Sequence, residues 1–188
     1  MILIAGIGAI GSYLTLFLAR PEYELLLWDD DRVEEENIAT SAFMEHHVGG
    51  YKAIIASEMA AGKGCAAQYR TSTLEYLGEL SDSELDSIQL LVDCFDNAPS
   101  RRKLTGFMAI PTIHIGVSEE NSGSVIWDDC YQLPEDGYER GFNPVCTHDL
   151  NRRVLRMVAD AAAGVVEDFI ESGIKRNVSL TPRKVADV

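Results

Sequence analysis

Met1-Ile2-Leu3-Ile4-Ala5-Gly6-Ile7-Gly8-Ala9-Ile10-Gly11 opens the chain, and the reading of this stretch decides the fold. Met1 to Ala5 is an unbroken apolar run of strand length, as expected of a strand covered on both faces. Gly6 to Gly11 spells G-x-G-x-x-G. In that pattern the first glycine makes a tight turn, the second lets a phosphate approach the backbone, and the third packs helix on strand. From Ala9 to Arg20 the apolar residues Ile10, Leu14, Phe17 and Leu18 recur at helical spacing, and Pro21 stops the helix. Glu24 to Trp28 reads as a second strand. Strand, glycine turn, helix and strand in sequence make a βαβ unit. The helix of such a unit offers free N–H groups to phosphates. Gly6, Gly8 and Gly11 are therefore candidate nucleotide contacts, and a tight turn without a ligand is the competing reading.

Downstream, Asn37 to His47 reads as a short helix, broken by Gly49-Gly50, and Tyr51 to Ala61 as another. Cys65 to Arg70 is a weak third strand, and Leu74 to Ser87 is polar and ambiguous. Ile88 to Phe95 is a buried strand, Ala98 to Met108 a helix, and Thr112 to Val117 and Ser124 to Trp127 two further strands. Cys130 to Pro144, with two prolines and two glycines, is a loop of the length that often covers a site. From Val154 to Ile170 an apolar stripe marks the last helix, with Thr147 or Asp149 as its cap and Gly173 as its stop. The expected architecture is α/β, a doubly wound and mostly parallel sheet with helices on both faces, as one domain over residues 1–174. A polar tail is expected over residues 175–188. Ligands of such sheets bind at the carboxyl ends of the strands.

Composition narrows the function classes. The chain has 188 residues, 46% hydrophobic and 24% charged, the balance of a soluble globular protein, and no apolar run spans a bilayer. No basic segment precedes the apolar opening, so it is not a signal peptide and the expected location is cytoplasmic. A net charge of −14 argues against nucleic-acid binding, which depends on neutralising phosphates. Cys65, Cys94, Cys130 and Cys146 form no C-x-x-C pair, so neither a structural zinc nor a disulfide framework is expected.

Asp29 ends the second strand at the distance from the glycine turn where an acid grips the ribose hydroxyls in this fold. That position disfavours a 2′-phosphate but does not separate NAD from ATP.

The following residues bear on that choice. Asp29-Asp30-Asp31-Arg32-Val33-Glu34-Glu35-Glu36-Asn37 resembles the D-x-D-x-V-x-x-x-N stretch of the ubiquitin-activating E1 superfamily, whose bacterial members include the ThiF-type adenylyltransferases of thiamine and molybdopterin synthesis. Gly49-Gly50-Tyr51-Lys52-Ala53 is similar to the family's Gly-x-x-Lys-Ala, and Asp93-Cys94-Phe95-Asp96-Asn97-Ala98-Pro99-Ser100-Arg101 to its D-x-x-D-N-x-x-x-R. Pro111 to Gly123 resembles the strand and glycine turn that come next, so the match runs in order to about Trp127. The resemblance implies a Rossmann-like fold of the E1/ThiF type and ATP with Mg²⁺ as cofactors. It implies that Asp29 holds the ribose, that Asn37 and Lys52 contact the phosphates, and that Asp96 ligates the metal. Asp31, Asn97 and Arg101 belong to the same matched motifs and are carried as nucleotide-site candidates. Taken singly, Lys52 reads as a surface lysine, Asn37 as a turn former or cap, and Asp96-Asn97 as a helix cap.

Two departures stand out. The family's Arg-Gln pair after the asparagine is Thr40-Ser41 here, and threonine cannot replace an arginine's charge. The family's phosphate-binding arginine on a helix before the first strand has no counterpart in this sequence. Arg32, Arg101 or Arg102 from within the chain, an arginine from a partner subunit of a dimer, or a loss of adenylation would each account for this. The family's later thioester or persulfide step implies a cysteine beyond the core. Cys146, before a helix start and near His148, is the better candidate than Cys130. The implied function is ATP- and Mg²⁺-dependent adenylation of the C-terminus of a ubiquitin-like or sulfur-carrier protein. A non-catalytic relative that binds nucleotide or a partner, and an NAD-dependent oxidoreductase, are the alternatives.

Overall fold

The computed structural model describes residues 1–73, 80–104, 109–118, 122–132 and 152–181. Seven strands form one sheet: β1 (Ile2–Ala5), β2 (Glu24–Trp28), β3 (Ala66–Arg70), β4 (Leu90–Asp93), β5 (Thr112–Val117), β6 (Gly123–Trp127) and β7 (Val178–Leu180). The helices are α1 (Gly11–Leu18), α2 (Lys52–Ala61), α3 (Asp82–Ser87), α4 (Ala98–Lys103) and α5 (Arg152–Ser172). The strand order is β3-β2-β1-β4-β5-β6-β7, with the first five strands parallel and the β5–β6 and β6–β7 pairings antiparallel.

Both faces of β1, β4 and all but the first residue of β2 are buried, which is why the sequence shows apolar runs there, whereas the edge strand β3 is largely exposed. Ile2, Ile4, Leu25, Leu27, Leu90 and Val92 face one core, closed by α1, α2 and α5. The alternate residues Leu3, Ala5, Leu26, Trp28 and Leu91 face a second core that includes Leu80, Ile88 and Leu104. The register aligns the strand ends: Arg70 pairs with Trp28, Ala5 with both Trp28 and Asp93, and Asp93 with His114. β1 lies between β2 and β4, so the chain leaves it first to one side and later returns on the other. A crevice opens outside the strand ends at such a point. No helix among the described residues is long and apolar enough to cross a membrane.

The structure changes two expectations. Asn37 to His47 is not one helix but two 3-10 turns, Glu35–Ala39 and Glu45–His47. The Asn37 side chain accepts the Glu34 N–H (3.0 Å), and its carbonyl takes the Ser41 hydroxyl (2.6 Å) as well as the Ser41 N–H (2.9 Å). Such local bonds compete with a continuous helix. The polar stretch after Lys175 instead supplies β7, whose backbone satisfies the outer edge of β6. The α4 stretch is described to Leu104. Cys146, with Thr147, His148 and Asp149, lies outside the described residues, as does most of the loop expected from Cys130 to Pro144.

Candidate nucleotide site

The glycine turn leaves β1 at the switch point, and each of its glycines meets a different surrounding. Gly6 has φ +87°, and a Cβ there would come within 3.0 Å of the Cys94 and Phe95 backbone. At Gly11 a Cβ would stand 2.0 Å from the Gly6 carbonyl oxygen, so the helix can sit this close to the turn only on glycine. A Cβ on Gly8 meets nothing within 4 Å. Above it is open space, and no side chain caps the amino end of α1. Unpaired N–H groups at a helix start beside an open glycine form a ready anion cradle.

Asp29 follows β2 and is buried. Its Oδ2 accepts the Ile7 N–H (2.6 Å) and its Oδ1 the Asp31 N–H (2.9 Å), tying the glycine turn to the second strand. Burial pushes its carboxyl up to about 6, against the pull of Lys52 and these two N–H donors. Lys52 begins α2. Its Nζ donates to Asp31 Oδ2 (2.8 Å), and its backbone N–H donates to the Asp31 carbonyl (2.9 Å). Burial works against the ammonium charge, but Asp29, Asp31 and Asp96 outweigh it and raise the lysine's pKa. Lys52 is thus a charged group only 12% exposed, among carboxylates from the ends of β2 and β4.

The raised value of Asp29 has a consequence for stability. The folded-state pKa lies above the unfolded one, so the protonated form favours the fold. Its contribution is full below about pH 4, falls as the pH climbs through about 6, and is constant above. The unfolding free energy of the wild type, relative to Asp29→Asn, is expected to drop by about 3 kcal/mol between pH 4 and 7. Urea denaturation of both proteins across that range checks it.

Asp96 is exposed after β4, with Asn97 Nδ2 at 3.3 Å from one carboxylate oxygen. Asn97 caps α4 by accepting the Ser100 N–H (2.8 Å), and Asn37 closes its own turn as described above. Both amides therefore have visible structural work. Arg101 is likewise committed to the protein. Its Nε and Nη2 donate to the Phe95 carbonyl, Nη2 to the Ile115 carbonyl (2.6 Å), and Nη1 to the Tyr131 hydroxyl (2.9 Å). Arg32 donates to the Gly49 carbonyl (2.6 Å) and covers the Tyr51 ring. The Asp29, Asp30 and Asp31 carboxylates approach within 4.8 Å of one another.

Two polar residues were not anticipated. Asp93, fully buried, accepts the Phe95 N–H (3.0 Å), meets His114 Nδ1 (2.7 Å) and lies 3.7 Å from Arg101 Nη1. The His114 ring stacks on Tyr131 at 3.8 Å between centroids. This network fastens the ends of β4 and β5 and supports the loop that presents Asp96. A charged residue closing the apolar run Leu90 to Val92 is the sequence signal for it. Among the cysteines, burial pushes the thiols of Cys94 and Cys65 up, while Cys130 is exposed after β6.

Fold and glycine turn together define a doubly wound, Rossmann-like α/β protein. The chain belongs to the ThiF family, whose model matches residues 1–164. The family is one of E1-like adenylating domains. No protein of curated function matches the chain at the sequence level. Among solved structures it is similar to E. coli MccB with ATP, with TM-score 0.72 and 16% identity over 98% of this chain and 61% of that one. It is also similar to the microcin C7 biosynthetic enzyme MccB in complex with N-formylated MccA, with TM-score 0.72 and 16% identity over 98% and 62%. PaaA gives TM-score 0.74 and 16% identity over 97% and 69%. The chain spans less than two thirds of the length of these MccB chains.

Proposed function

We propose that this chain activates a carboxylate by adenylation with ATP. The observation that carries the reading is the open glycine turn at an uncapped helix, beside a lysine held charged by carboxylates at the strand ends. The acceptor carboxylate oxygen attacks the α-phosphorus, the bond to the bridging oxygen breaks, pyrophosphate leaves, and an acyl-adenylate remains. Negative charge grows on the leaving pyrophosphate, so the site must present fixed positive charge and N–H dipoles to it. Lys52, the α1 amino end and the turn N–H groups do so. Asp29 accepts from the ribose with lone pairs left by its two N–H bonds.

The residues present fit a magnesium ion. Asp96 is a hard, exposed oxygen donor, and Mg²⁺ is commonly held by one or two carboxylates plus phosphates and water. When bound, the ion neutralises charge on the phosphates. Asn37, Asn97, Asp31 and Arg101 shape the rim by fixing its loops. The acceptor is the C-terminal carboxylate of a ubiquitin-like or sulfur-carrier protein, and the active form is a dimer or paired subunit. MccB, solved with ATP and with MccA, presents the same combination of nucleotide and polypeptide.

Calorimetric titration with ATP, ADP and NAD, each with and without Mg²⁺, tests the nucleotide. Binding of ATP with Mg²⁺ at micromolar affinity is expected, and tight NAD binding without ATP binding overturns the reading. Pyrophosphate release on adding candidate acceptors tests the chemistry. ATP binding without release under any acceptor assigns the chain to non-catalytic relatives, a reading that the buried Thr40-Ser41 pair favours.

A further inference from the structure

We infer that Arg152, with Arg156 one turn behind it, is a cationic station for the terminal phosphates of the nucleotide. This rests on the ATP reading above and adds a residue to that site from a helix that the motif resemblance does not reach. α1 and α5 pack side by side and run in the same direction. Tyr13 near the start of α1 meets both Arg152 and Arg156, and Arg20 beyond its end pairs with Glu167. The amino ends of both helices therefore stand together at the carboxyl ends of the parallel strands, where the glycine turn lies.

The guanidinium of Arg152 is held in place. Nε donates to the Tyr13 hydroxyl (2.5 Å) and Nη2 to the Ser41 carbonyl (3.1 Å), which also accepts the Tyr13 hydroxyl (2.7 Å). Both acceptors are neutral oxygens. Neither Arg152 nor Arg156 forms an ion pair with any described residue. In a chain with 30 acidic and 16 basic residues, two neighbouring arginines with no carboxylate partner among the described residues mark a place prepared for an outside anion. An arginine has five N–H donors, so most of those of Arg152 remain for phosphate oxygens. Asp160 lines the same surface groove beyond Phe17 and Met157, so positive charge is concentrated at the end nearest the glycine turn.

The wall beneath Arg152 belongs to the glycine-turn helix. Ser12 Oγ accepts the Ala42 N–H (3.0 Å), which clamps the segment bearing the Ser41 carbonyl onto the first turn of α1. Thr40 and Ser41 are themselves buried, at 6% and 1% exposure. A side chain there is part of the wall, and the Arg152 guanidinium from α5 rests on it through the Ser41 carbonyl.

The test is titration of the full chain with ATP and AMP in Mg²⁺ buffer, comparing wild type, Arg152→Ala, Arg152→Lys and Arg156→Glu. Arg176→Ala, which removes a cation paired with Asp168 at the far end of α5, controls for net charge. Arg152→Ala is expected to weaken ATP about tenfold or more, as loss of a charged hydrogen bond does, and to leave AMP within about twofold. Lysine restores part of the loss, and Arg156→Glu weakens ATP while leaving both hydrogen-bond partners of Arg152 in place. If Arg152→Ala does not fold by circular dichroism, Arg156→Glu decides. Equal losses for ATP and AMP, unchanged ATP affinity, or the same loss in Arg176→Ala overturn the station. Failure of the wild type to bind either nucleotide instead overturns the adenylation reading on which it rests.

Discussion

Gly11→Ala is expected to destabilise the fold by about 3 kcal/mol or more and to abolish nucleotide binding, whereas Gly8→Ala keeps the stability and loses only the binding. The two glycines are three residues apart in one motif, yet their surroundings are opposite. A methyl on Gly11 would stand 2.0 Å from the Gly6 carbonyl oxygen, a backbone atom that cannot swing aside as a flexible side chain can. Relief requires α1 to move off β1, and Leu14 and Leu18 of α1 are fully buried in the core that β1 shares. At Gly8 a methyl meets no atom within 4 Å, so the fold has no reason to object. The methyl would fill the space over the uncapped helix start, where the phosphates are proposed to lie. Thermal melting and ATP titration of the two variants check the pair. Equal destabilisation by both would remove the distinction between a packing glycine and a cradle glycine. Unchanged ATP affinity in a folded Gly8→Ala would place the phosphates elsewhere.

Lys52→Met is the second large effect, and it has two readouts. ATP affinity is expected to fall about a hundredfold, because a fixed cation partly shielded from water is worth several kcal/mol to a polyphosphate. Stability is expected to fall as well, and by an amount that depends on pH. Lys52 pulls the Asp29 carboxyl down, while burial holds it up at about 6. Without the ammonium, the Asp29 value rises further. The protonated form then costs the fold little, and the ionised form is left buried without its cation. The destabilisation is therefore expected to be small below pH 5 and to grow to about 2 kcal/mol above pH 7. Denaturation of wild type and Lys52→Met at several pH values measures it. A pH-independent loss would mean that Lys52 acts on the fold through packing alone. The Asp31 partner is mostly exposed, so its ion pair with Lys52 contributes little to this difference.

The sheet's first half and its cradle are legible in the sequence because they rest on local rules. Met1 to Ala5, Leu25 to Trp28 and Leu90 to Val92 are apolar without alternation, as strands covered on two faces must be. Gly6 and Gly11 are dictated by a positive φ and a close approach within the same turn. The long helix α5 shows its buried stripe at three- and four-residue spacing, and Gly173 ends it with φ +68°. The placement of Asp29, Lys52 and Asp96 around one crevice follows from the parallel register, and the motif order anticipates it.

Other features depend on partners far away in the chain, which no local pattern records. Asn37 and Asn97 are each a motif asparagine, yet their hydrogen bonds to Glu34 and Ser100 appear only once the turns are folded. Arg101 looks like a nucleotide contact by motif, but the tertiary structure surrounds it with the Phe95 and Ile115 carbonyls and Tyr131. β7 is three residues long, too short for a period to show, and exists because the edge of β6 presents unpaired backbone groups.

The amino-acid sequence by itself determined the α/β class, the glycine turn and the family, since strand burial, helix period and glycine geometry act within a few residues. Only the tertiary structure brought Arg152 onto Tyr13 across 139 positions, and buried Asp93 against His114 and Arg101. Both arrangements join charged or polar groups from separate elements, and such groups meet only when the sheet register and the parallel packing of α1 with α5 are in place.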